Sequence, residues 1–188
     1  MIRSAVRAGA VLATLLVLAA CAGAPAPAYQ PGVANLLALR AGTAPIGVDD
    51  FAAEDGVNDR RLGLRADSMT GAGSDGAFST YLQQALEKEL RNAGRLDDAA
   101  RLRLSGTLTE NRLDASGFSV GRASVGARFV LTRDGRVLYD KLHSVDHEWA
   151  SSFIGALAIP AATQGYSATV QKLIGQVFDD PAFVEATR

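Results

Sequence analysis

Apolar residues recur along this chain with two different periods, and the switch between them marks out the elements. Phe78, Leu82, Ala85, Leu86 and Leu90 fall three and four residues apart, which places them on one face of a helix. Ser74 or Asp75 can cap its start, and Gly94 can end it. Leu102, Leu104 and Leu108 alternate with Arg101, Arg103, Thr107 and Thr109, the pattern of a half-buried strand. Ala123, Val125, Ala127, Phe129 and Leu131 alternate in the same way with Arg122, Ser124 and Arg128. Asp134–Gly135 supplies the residues that a tight type I′ turn takes, and Val137 to Trp149 returns as another long alternating strand. A second helical stripe runs through Tyr166, Val170, Leu173, Ile174 and Val177, with Pro160 in its first turn and Pro181 beyond its end. Upstream, Ile46 to Phe51 is a short strand. Asp55 to Gly76 is loop-like, with a short extended piece at Leu62 to Arg65.

The order is strand, helix, strand, strand, strand, helix. Three consecutive alternating strands predict an antiparallel meander with one dry face, and two amphipathic helices can cover that face. The expected fold is therefore α+β, a two-layer antiparallel sheet of about four strands (order β-α-β-β-β-α) under two helices. No repeat is visible at periods of roughly 20 to 50 residues.

The N-terminus follows another rule. Arg3 and Arg7 precede the apolar run Ala8 to Leu18, about half the ~20 residues needed to cross a bilayer, which reads as the core of a signal peptide. Leu18, Ala19, Ala20 and Cys21 follow at once. This stretch resembles the lipobox of bacterial lipoproteins: a branched residue, two small ones and a cysteine. The resemblance implies that the Cys21 thiol carries diacylglycerol, that the signal is cut before Cys21, and that the new amine is acylated, with palmitate as the expected chain. Other readings are an ordinary secretory signal cut near Ala20 or Ala22, or a buried N-terminal helix. Ala22 stands where an aspartate would imply retention at the inner membrane, so the implied address is the outer membrane, with the domain facing the periplasm. Acyl chains contribute about 0.8 kcal/mol per buried methylene, so two or more suffice for anchoring.

The expected organisation is residues 1–20 as signal peptide, 21–44 as lipidated cysteine and Pro/Ala-rich linker, and 45–188 as a single domain. Ala22 to Pro31 holds three of the chain's six prolines, the composition of a semi-extended spacer that lifts a domain off the membrane. Cys21 is the only cysteine among 188 residues, so the exported domain has no disulfide, and at this size it needs none. Loss of Arg3 and Arg7 leaves 17 basic against the 20 acidic side chains, a net −3. A mildly acidic chain without a basic block argues against nucleic-acid binding.

Val48, Asp49, Arg60 or Arg61, Gly63, Arg65 and Asp67, ahead of the first long helix, resemble the pattern of YajG-like bacterial lipoproteins. That family combines a lipobox, an early strand with Asp and Arg, a Gly-Leu-Arg loop and a small α/β domain. The resemblance bears on fold and location, and it implies no catalytic residue.

Four features carry candidate chemistry. Gly71, Gly73 and Gly76 spell GxGxxG before a helix, with Asp97 and Asp98 about 20 residues on. A dinucleotide site needs a buried parallel strand ahead of that turn, and Leu64 to Thr70 is too polar, so the glycines read as a loop ending in a helix cap and no nucleotide cofactor is expected. Gly117 to Gly121 spells GxSxG, but the nucleophile elbow requires a helix after Ser119 and the period there is two. Asp134 and His143 follow in the order of a hydrolase triad, although they flank a hairpin. His143 and His147 could share a metal on a helix. On a strand they stand about 13 Å apart and read as strand-face residues, with no metal expected. Phe153 to Pro160 is the longest apolar run of the mature domain. It reads first as a buried connection into the last helix, and second as an exposed patch for a lipid or protein partner.

The resulting expectation is a non-enzymatic envelope lipoprotein, a binding or accessory protein attached to the membrane by its lipid, with an envelope protein as a possible partner. Two alternatives stand beside it. One is a serine esterase using Ser119 with His143 or His147. The other is a small-molecule or lipid carrier with a pocket between sheet and helices.

Overall fold

A computed structural model describes residues 23–188. The lipobox and the apolar run before it lie outside these residues. The elements are β1 (Ala24–Pro25), α1 (Val33–Leu39), β2 (Ile46–Ala53), β3 (Leu62–Leu64), β4 (Asp67–Thr70), α2 (Phe78–Asn92), β5 (Leu102–Asp114), β6 (Val120–Arg133), β7 (Arg136–Ala150), α3 (Gly155–Phe178) and α4 (Pro181–Ala186). The class is α+β. A four-stranded sheet in the order β2-β5-β6-β7 forms the body, and β1-β4-β3 form a second, smaller sheet.

The alternating positions do what their period requires. Leu102, Leu104 and Leu108 on β5, and Ala123, Val125, Ala127, Phe129 and Leu131 on β6, are all buried on one face of the sheet. Phe78, Leu82, Ala85, Leu86 and Leu90 of α2 meet that face, together with Tyr166, Val170, Leu173, Ile174 and Val177 of α3. The opposite face is wet and laced with charge: Arg122 pairs with Glu148, Arg128 with Asp140, and Arg103 with Asp49. Asp134 and Gly135, at φ 52° and 80°, form the β6–β7 turn that two left-handed residues allow.

Four features differ from the sequence expectations. First, β2 runs parallel to β5, so the sheet is mixed. The chain between them includes α2, and a crossover through a helix returns the next strand in the same direction. Second, the loop-like stretch contains the β3–β4 hairpin, whose Leu62, Leu64 and Met69 join the core. Third, α3 begins at Gly155, so Pro160 lies in its second turn. Fourth, residues 24–44 do not stand off as a spacer. β1 pairs in parallel with β4, Tyr29 is buried, and α1 packs across α2 and α3.

A fully buried carboxylate holds that N-terminal strap. Glu89 of α2 receives, on its Oε1, the Tyr29 hydroxyl at 2.5 Å, the Asn35 side-chain amide at 2.8 Å and the Gly32 backbone N–H at 3.0 Å. Burial, and then the bond to Glu89 and its charge, hold the Tyr29 phenol far above its ordinary titration range. Truncation at Glu89 strands three donors where water cannot replace the acceptor. Glu89→Ala is expected to destabilise the chain by about 3 kcal/mol, and Glu89→Gln, which keeps one oxygen in place, by about 1 kcal/mol. Urea midpoints of the two variants check that order; equal losses would remove the acceptor role from Oε1.

Candidate functional site

The free end of the meander is organised by one side chain from the smaller sheet. Leu64 pairs with Asp67 across the β3–β4 hairpin, leaving Arg65 and Ala66 at the turn. Arg65 adopts φ 53°, a left-handed conformation uncommon for a non-glycine residue. From there its guanidinium reaches two other loops. Nε donates to the Ala115 carbonyl at 2.9 Å and Nη1 to Phe153 O at 3.0 Å, while Nη2 donates to Gly117 O at 3.0 Å and Ser152 O at 2.5 Å. One cation thereby satisfies four carbonyls, two from the β5–β6 loop and two from the β7–α3 loop.

Those loops present apolar side chains to water. Phe118 is 68% exposed, Phe153 74%, Ile154 58% and Leu157 60%. The Phe118 and Phe153 rings meet edge to face with centroids 5.3 Å apart. The run from Phe153 is thus not a buried connection, contrary to its first reading. It is the exposed patch, extended by Phe118 from the neighbouring loop. Ala158 alone of the run is fully covered, because it faces the sheet from the first turn of α3.

The other sequence candidates fall into different places. In the GxSxG stretch, a Cβ on Gly117 would lie 2.1 Å from Val120 O, so a tight turn excludes a side chain there. A Cβ on Gly121 would lie 2.5 Å from the Trp149 ring, and one on Gly165 would lie 2.3 Å from it. The indole therefore sits in a slot between β6 and α3 that both glycines open. Ser119 is exposed and is followed by strand β6. Its carbonyl accepts from Ser151 N, whereas His147 lies opposite Ala123 and His143 opposite Ala127. At about 3.4 Å per residue the two imidazoles are roughly 13 and 27 Å along the sheet from Ser119. The structure does not bring this serine and either histidine together. Gly71, Gly73 and Gly76 form a closed loop in which Gly71 N–H donates to Gly76 O, after the short strand β4, of which only Met69 is buried. The N-terminus of α2 is capped from a distance by Asp59, which accepts from Ser79 N at 2.7 Å, and not by Ser74 or Asp75.

His143 and His147 both face the helices. His143 Nε2 is 2.5 Å from the Tyr139 hydroxyl, which also approaches Asp180; His147 Nδ1 is 2.8 Å from Lys172 Nζ. Among the described residues no three His, Cys, Asp or Glu side chains converge as a metal site. An open groove of about 660 Å³ runs past His143, Lys141, Asp180, Lys172 and Asn35, between α1, α3 and β7. It faces solvent and is bordered by charges, unlike an enclosed apolar carrier pocket. Burial lowers the His143 titration range, outweighing the nearby Asp180 charge, and burial followed by the Lys172 charge lowers that of His147.

No protein-family model matches the sequence, and no curated protein matches it. Solved structures do resemble the chain. A Xanthomonas campestris protein of the family DUF330 aligns at TM-score 0.51 and 15% identity, over 82% of this chain and 90% of its own. At that identity the likeness shows a shared fold. A "putative lipoprotein" from Caulobacter crescentus CB15 aligns at 0.45 and 14% identity, over 62% of this chain and 87% of its own. A PelC dodecamer subunit from Paraburkholderia phytofirmans aligns at 0.43 and 19%, over 73% and 91%. At those scores neither bears on function. The residues behind the YajG-like pattern do not converge: Asp49 pairs with Arg103, Arg60 with Asp75, and Arg65 with the loop carbonyls.

Two outcomes follow from this geometry. Arg65→Lys supplies charge without the planar fork and is expected to cost about 2 kcal/mol, with faster amide exchange confined to residues 115–119 and 151–154; exchange mass spectrometry checks it, and unchanged rates in both loops would refute the hub. The histidines bind protons less readily folded than unfolded, so stability present above the ordinary pKa of 6.5 is lost as the pH falls through their lowered values. The thermal midpoint should drop between about pH 7.5 and pH 5, and less steeply in His143→Gln.

Proposed function

We propose that this chain is an outer-membrane lipoprotein, acylated at Cys21, whose α+β domain serves as a non-enzymatic binding or accessory component of the cell envelope. The observation that carries the reading is the sequence Leu18-Ala19-Ala20-Cys21 at the end of a signal-peptide core, with Cys21 the only cysteine of the chain. No helix among the described residues is long and apolar enough to cross a membrane, so the lipid is the attachment this reading supplies. The separation of Ser119 from His143 and His147 favours binding over hydrolysis. The exposed Phe118–Phe153 patch is an apolar surface of the kind that contacts a membrane or a partner.

Intact-mass measurement and membrane fractionation of the native protein, beside Cys21→Ser, test the anchor. The expected wild-type mass is that of the chain from Cys21 plus acyl groups, in the outer-membrane fraction, with the variant unacylated. An unacylated wild type in the soluble fraction would overturn the reading.

A further inference from the structure

Two observations made separately meet at one end of the molecule. The first is the patch. From Trp149 to Gln171 the sequence contains no Asp, Glu, Lys or Arg, although the beginning of α3 is a surface turn, where an amphipathic helix ordinarily places charge on its outer side. The exposed residues there are Phe153, Ile154, Ala156, Leu157 and Pro160, with Phe118 beside them. Arg65, beneath the patch, is turned inward onto carbonyls. Other exposed apolar residues lie elsewhere: Val137 and Leu142 stand singly on β7, and Val33 and Leu37 are on α1, which packs near Gly175, some 25 Å along α3 from Leu157.

The second is the course of the N-terminal strap. β1 runs parallel to β4, with Ala24 opposite Met69 and Gly23 against Ser68. Read from Pro25 back to Gly23, the strand runs in the direction of Asp67 and the Arg65–Ala66 turn. That is the turn whose guanidinium holds the Phe118 and Phe153 loops. Cys21 is two residues before Gly23, a span of at most about 7 Å. Gly23 thus lies at the same end of the domain as the patch, and the proposed anchor is two residues from it in sequence.

We infer that this patch is a bilayer-seating surface: Phe118, Phe153, Ile154 and Leu157 dip into the periplasmic leaflet of the membrane that carries the acyl chains of Cys21, so the domain is docked on the lipid and not swung from it. The inference rests on the anchor proposed above. The acyl chains fix the domain at the surface, and the patch fixes which end faces it. The Asp134–Gly135 hairpin, at the far end of the meander, then points away from the membrane and leaves the wet face of the sheet and the groove beside His143 open to the periplasm.

The test uses the full-length acylated protein reconstituted into phosphatidylcholine vesicles with or without bromines on the acyl chains. A reporter tryptophan is placed at the patch (Phe153→Trp) or at the distal end of β7 (Val137→Trp), and native Trp149 contributes the same background to both. Intact mass is read first. The expected result is several-fold stronger quenching by brominated lipid at position 153 than at 137, reduced several-fold when Phe118→Glu is added, with acyl mass and vesicle association unchanged. Equal, weak quenching at both positions in an acylated protein would overturn the seating and leave the anchor standing. A tryptophan at 153 shielded from both bromolipid and aqueous acrylamide would mean that a second copy or another protein covers the patch, which also overturns it. An unacylated chain that gives no quenching would overturn anchor and seating together.

Discussion

The architecture at the β5–β6 and β7–α3 end of the sheet depends on a single guanidinium. Three loops from two sheets meet there, and their part-buried carbonyls need donors. Arg65 provides them from a backbone conformation that costs an L-residue roughly 1–2 kcal/mol. Such strain persists only where the surroundings over-determine it, and here the side chain's four bonds do so. Because the polar demands of both loops are met internally, their side chains are free to be apolar and exposed. The patch is therefore a consequence of how the backbone beneath it is satisfied.

A second pair of buried polar residues fixes the remainder of the strap. Glu89 gathers Tyr29, Gly32 and Asn35, while Arg95 donates to Leu39 O, Ala44 O and Thr187 O. The chain between residues 29 and 44 is thus tied to α2 at one end and to the C-terminus at the other. Desolvation lowers the Arg95 pKa and burial raises that of Tyr29, as expected of groups held in place by several partners away from water. The consequence is positional. Within the described residues, the chain is paired into the fold from Ala24 onward.

Much of the core was legible in the sequence because its information is local. Period-two alternation in β5 and β6 and the three-four spacing in α2 and α3 depend only on side-chain direction within one element, and the residues they singled out are the buried ones. The Asp134–Gly135 turn was legible for the same reason, since its left-handed dihedrals restrict the residues that can occupy it. The strap was not. Ala- and Pro-rich composition reads as a spacer until Glu89 and Arg95 are seen to hold it, and those partners lie more than fifty residues away in sequence. Nor could the parallel course of β2 be read from its own six or eight residues, because direction belongs to the crossover through α2.

The candidate site divides along the same line. The sequence by itself determined that Cys21 is the single thiol, that it follows an apolar run of signal-peptide length, and that the chain from Trp149 to Gln171 carries no charge. These are properties of residues in order, and they need no neighbour. Whether Phe153 to Pro160 faces core or water was decided only by tertiary structure. An apolar run is buried when another element packs over it; here the β7–α3 loop leaves Phe153, Ile154 and Leu157 exposed, and no described element packs over them. The joining of Phe118 to that run, through Arg65 on a third loop, is likewise a contact between distant segments, which no local pattern encodes.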